Sequence, residues 1–153
     1  MNNAEGLIPQ LSEWNRGSGI SIIDWICSVG DFDHAIGYMS LLWPNLIEEE
    51  GGVFLEMNFS DSLFQSCKQK AANGVAEIEA IVNHVHLLDL FGNPQLKPTE
   101  AQLIFLGRNL RELWTAKAIR DFPKKEIVVD FSYESGNPAS YELVLYQKKR
   151  SAS

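Results

Sequence analysis

"VNHVHLLDLFGNP", residues 82–94, holds two of the chain's three histidines and decides how the middle of the sequence is read. Ile78, Ile81, Val82, Val85 and Leu88 recur at helical spacing, so the segment from about Val75 to Phe91 reads as one helix closed by Gly92 and Pro94. On that helix Glu79, Asn83 and His86 fall at i, i+4 and i+7, a polar row beside the apolar stripe. His84 points elsewhere, so the HxH pair cannot hold one ion, and neither a metal nor another cofactor is expected. The row is the candidate catalytic set: a carboxylate near an imidazole orients it and raises its pKa, which poises a base. The plainer role for such side chains is hydrogen bonding to loops.

Working outward, "SIIDWICSVG" reads as a short helix that Ser21 can cap and Gly30 closes. Asp31 or Asp33 can cap the next helix, which ends near Leu42 because Pro44 disfavours helix in the residue before it. Clustered Asp31, Asp33 and His34 could ligate a metal, but capping accounts for the aspartates. Val53, Leu55, Met57 and Phe59 alternate with Phe54, Glu56 and Asn58, as in a half-buried strand. Ser60 caps a helix that Asn73-Gly74 stops. "EEE" at 48–50 reads as a solvated charge run.

Thr99 and Gln102 make a capping box for the longest helix, with Leu103, Leu106, Leu110, Leu113 and Trp114 facing a core. Gly107 costs that helix about 1 kcal/mol against Ala, so it marks a close approach by another element. Beyond Pro123 the period becomes two. Ile127, Val129, Phe131 and Tyr133 share one face, "SGNPAS" turns the chain, and Tyr141, Leu143 and Leu145 return inward as a hairpin. The fold class is therefore α+β: about five helices on one face of a small antiparallel sheet that includes the C-terminal hairpin. The strand near residue 55 is expected to join that sheet. Residues 1–19 read as an N-terminal arm and 20–150 as a single domain.

A formal charge of −7, with 20 carboxylates against 13 Lys and Arg, disfavours nucleic acid, which demands gathered cations. It suits a basic protein partner. No stretch has the apolar length of a membrane span and the N-terminus lacks a signal-peptide pattern, so a soluble cytoplasmic protein is expected. Cys27 and Cys67 lack CxxC spacing and read as buried hydrophobes. GxSxG, Walker A, GxGxxG, HExxH and EF-hand patterns are absent from the sequence.

Four tryptophans are more than a core of this size needs, and Trp and Tyr concentrate binding energy at interfaces. Trp14, Trp43 and Tyr146 are the candidate ligand or interface residues. Val128, Val144 and Tyr146 put apolar groups on the sheet's second face, which predicts a homodimer there or along a sheet edge.

"LLWPNLIEEEGGVFL", "IVNHVHLLDLF" and "LWTAKAIRDFPKKEIVVDF" resemble blocks in small bacterial proteins of uncharacterised activity, carried on mobile elements or as integron gene cassettes. The resemblance spans about residues 20–147 and implies a bacterial cytosolic origin and an accessory role. It carries no functional residue. The functional expectation is a non-enzymatic binding or interaction protein, a homodimer with an accessory or immunity-like role. The alternative is a small hydrolase or ligand-binding domain with its pocket near Glu79, Asn83 and His86.

Overall fold

The computed structural model describes residues 4–72, 74–91 and 97–148. The expected stops at Asn73, Gly92 and Pro94, and the basic Lys149 and Arg150, lie outside them. The chain divides into two compact units, residues 1–39 and 40–153.

The first unit holds α1 (Gln10–Gly17), α2 (Ile22–Val29) and most of α3 (Phe32–Leu42), which continues into the second unit. The backbone leaves helical geometry at Trp14, and Asn15 and Arg16 take φ of 53° and 59°. Ser21 caps α2 by accepting the Asp24 N–H at 3.1 Å. Asp31 caps α3, accepting the N–H groups of Asp33 and His34 at 2.8 and 3.1 Å. The His34 bonds, backbone first, hold the Asp31 carboxyl below its usual range. Both caps satisfy helix-end donors as the sequence reading required.

The second unit opens with β1 (Leu46–Glu49) and β2 (Gly52–Leu55), an antiparallel pair turned through Glu50 and Gly51 at positive φ. Then follow α4 (Asp61–Lys70), α5 (Val75–Val82), β3 (His84–His86), α6 (Leu87–Leu90), α7 (Glu100–Asp121), β4 (Ile127–Ser132) and β5 (Glu142–Gln147). The capping box at Thr99 and Gln102 is present. The architecture is mixed helix and sheet, with the C-terminal strands paired antiparallel, Val129 to Leu145.

Three expectations are corrected. β2 does not join the C-terminal sheet; β1–β2 is one sheet and β3-β5-β4 another. The alternation expected through Phe59 stops at Leu55, because all four β2 residues are buried and a 3-10 turn at Glu56–Asn58 follows. The "EEE" run is exposed as expected, with Glu48 and Glu49 in β1 and Glu50 in the turn.

The third correction concerns the opening stretch. No helix runs from Val75 to Phe91: α5 ends at Val82, Asn83 closes it, and His84–His86 is extended. His84, Val85 and His86 pair with Val144, Leu143 and Glu142 of β5. Val85 serves either reading as an apolar position, but only the strand satisfies the backbone groups of β5 there. Ile81, placed on the buried stripe by the helical reading, is half exposed instead.

The main core joins Val53 and Leu55 of β2, Val85, Leu87, three residues of α7 (Leu103, Leu110, Trp114) and the inward residues Val129, Leu143 and Leu145. Trp114 is fully buried and donates its indole N–H to the Leu41 carbonyl at 2.8 Å. A second cluster sets Phe54 edge-on to Phe64 beside Cys67, Ile78 and Val82.

Candidate functional site

Glu79 and Asn83, two members of the expected catalytic row, are fully buried. Glu79 accepts from the Val53 N–H at 2.7 Å, the Gln147 N–H at 2.7 Å and the Gln147 side-chain amide at 2.6 Å. Asn83 accepts from the Leu55 N–H at 2.8 Å and donates to the carbonyls of Val53 and Leu145 at 2.8 and 3.0 Å. Apart from the Gln147 side-chain amide, these are backbone groups on facing edges of β2 and β5, beyond the stretch of β5 that β3 covers. The two side chains stand where another strand would, and satisfy what it would have satisfied. They are committed to the core, and His86 lies on a different element, so the row does not exist as a surface feature.

His86 instead meets the histidine that the helical reading sent elsewhere. Side chains two apart on a strand share a face. His84 and His86 therefore project together from β3, ring centroids 4.7 Å apart, onto the outer face of the three-stranded sheet. Glu142 of β5 stands directly opposite His86. Its Oε2 lies 2.7 Å from His84 Nε2 and 4.0 Å from His86 Nδ1, while Oε1 accepts from Ser132 Oγ at 3.2 Å. The bond from His84 holds the Glu142 carboxyl below the usual range, against a smaller opposing effect of burial. One ligand atom from each of the three residues can be chosen with no two farther apart than 4.8 Å. His86 Nδ1 is buried and has no hydrogen-bond partner among the described residues. The alternation His84–Val85–His86–Leu87 was the sequence signal for this pair.

The same outer face carries Val128, Val144 and Tyr146, all half-buried, with Asp130 exposed beside them. Tyr146 thus lies on the face expected of it. Trp43 is half-buried beneath Lys117 and Arg120, whose charges lie 5.7 and 6.0 Å from its ring centre. Trp14 is half-buried at the break in α1. Cys67 is buried as expected; Cys27 is exposed, which corrects the reading of both as core residues.

Sequence reasoning also missed the exposure of α2 and α3. Phe32, Ile36 and Met39 share one face of α3 at i, i+4 and i+7, and Phe32 and Ile36 are 88% and 67% exposed. Ile23, Ile26 and Val29 of α2 are also exposed. Asp24, Asp31 and Asp33 are the charged neighbours, and the sequence has no Lys or Arg between Arg16 and Lys68. No helix among the described residues is long and apolar enough to cross a membrane.

Compared with known proteins, the chain matches no family model, no curated protein and no solved structure.

Proposed function

We propose that the chain is a non-enzymatic interaction protein that docks the apolar row of α2 and α3 on a basic protein partner. The row of exposed large side chains carries this reading. Burying each one stabilises a complex by roughly 1.5–3 kcal/mol, and large exposed apolar side chains in such number mark interaction sites in stable proteins. The charge around it selects the occupant. A second copy would set Asp24, Asp31 and Asp33 against themselves, whereas a partner rimmed with Lys and Arg would pair with them. An accessory, immunity-like role that masks a basic protein accords with this chemistry.

The test places a benzoylphenylalanine photo-crosslinker at Phe32 in the source cell. The expected adduct contains a protein of basic isoelectric point, and its yield falls several-fold in high salt and in the Ile36→Asp background. A crosslink to this chain's own residues 40–153, to a second copy, or to an acidic protein overturns the reading.

A homodimer is a second reading, and it uses a different surface. On the outer sheet face His84, Val144 and Asp130 form one row across β3, β5 and β4. A two-fold axis along β5 lays β3 of one copy over β4 of the other, so His84 meets Asp130 and Val144 meets Val144. Light scattering at micromolar concentration is expected to return about twice 17.2 kDa, and Val144→Arg to return the single-chain mass. A single-chain mass for the unaltered protein sinks the dimer.

A further inference from the structure

We infer that His84, His86 and Glu142 form a binding site for a divalent transition metal of the zinc class on the outer face of the three-stranded sheet. This rests on neither interaction reading. Two imidazoles and a carboxylate are a donor set that suits zinc and its neighbours and suits magnesium or calcium poorly.

The backbone fixes the set. Strand geometry gives both rings one direction, and antiparallel register puts Glu142 opposite His86 and two residues from Val144, the partner of His84, on the same face. Bonds of about 2.1 Å to a tetrahedral metal place ligand atoms about 3.4 Å apart. The carboxylate oxygen now lies 2.7 Å from one ring nitrogen and 4.0 Å from the other. A metal between them opens the first distance and closes the second by under 1 Å each, and draws the two ring nitrogens, up to 4.8 Å apart, together by as much as about 1.4 Å through side-chain rotation. His86 Nδ1, buried without a hydrogen-bond partner among the described residues, gains a ligand at the position where it now lacks one.

Ser132 orients the carboxylate from behind, as outer hydrogen bonds commonly do at metal centres. Three protein donors leave one coordination position for water. The half-exposed rings give the ion a path, with side-chain exposures of 38% and 42%. The His34–Asp31 pair of the first unit has no third donor of this kind among the described residues and serves as the internal comparison.

Calorimetric titration of the metal-free full chain with Zn2+, and visible spectroscopy with Co2+, test the site. One equivalent of Zn2+ is expected to bind, and Co2+ to show the intense bands of four-coordination. His86→Ala and Glu142→Gln are expected to remove this binding, Ser132→Ala to weaken it about tenfold, and His34→Ala to leave it unchanged. Excess Mg2+ should not compete. The unfolding midpoint without metal is recorded for each variant, so lost binding is separated from lost folding. No binding by the unaltered chain, binding that survives His86→Ala, or a six-coordinate Co2+ spectrum overturns the site. Molecular mass is read in the same samples, so the dimer and the metal site fail separately.

Discussion

Glu79→Gln and Asn83→Asp, which alter no side-chain volume, are each expected to destabilise the fold by about 3 kcal/mol. The three donors around Glu79 are all N–H groups: those of Val53 and Gln147, and the Gln147 side-chain amide. They require acceptors at both carboxylate oxygens. An amide supplies one, and its NH2 would then face an N–H whichever way it is turned. Around Asn83 the demand is reversed on one side, because two carbonyls need donors and one N–H needs an acceptor. A carboxylate there either sets buried charge against two carbonyl oxygens or takes up a proton and satisfies only one. Stranding a buried backbone group costs about 1–3 kcal/mol, and leaving a charge uncompensated costs more. Against a total stability of about 5–15 kcal/mol, either substitution removes between about a fifth and three fifths of the margin. Urea unfolding checks this: both midpoints should fall with an unchanged slope. If either isostere stays within 0.5 kcal/mol of the unaltered chain, the bridging role is wrong.

That pair also shows where the sequence was readable. Caps at Ser21, Asp31, Ser60 and Thr99 and the hairpin of β4 and β5 were legible because their causes are local. A side chain satisfies the helix end beside it, and alternation with a turn brings adjacent strands together. The polar character of Glu79 and Asn83 was equally visible, but not its use, because their partners lie 26 to 68 positions away in the chain. Local pattern placed them in a polar row beside the apolar stripe, bonding to loops, whereas tertiary pairing made them the join between two sheets. The candidate metal set failed the same test of distance. Val85 fits a helical stripe and a strand equally well, and only β5, almost sixty residues later, decides between them. Glu142, the third donor, could not be found before that register was known. The exposed row on α2 and α3 had the opposite difficulty: helical spacing reads as core, and spacing alone does not reveal what covers it.

Gly107→Ala is expected to destabilise the protein by about 2 kcal/mol, although alanine is the better helix former. In an open helix the change would gain about 1 kcal/mol. Here a Cβ on Gly107 would lie 2.2 Å from two carbons of the Phe131 ring and 2.7 Å from a third. That ring cannot simply swing aside. It packs against Tyr133 with centroids 5.4 Å apart and against Tyr141 at 6.4 Å. Tyr141 is itself anchored by its hydroxyl on Glu100 at 2.8 Å. Burial, reinforced by that carboxylate, pushes the Tyr141 phenol up to about 12, so it stays protonated and the anchor persists across the working pH range. Overpacking must then be absorbed by moving α7 away from β4, which loosens the contacts of Leu110 and Trp114 as well. Thermal unfolding of Gly107→Ala, Phe131→Leu and the double variant separates the causes. The shorter leucine vacates the ring volume, so the double variant should recover at least about 1 kcal/mol relative to the sum of the singles. If the two changes add without coupling, or if Gly107→Ala alone raises the melting temperature, then the glycine is not what lets helix and sheet come together.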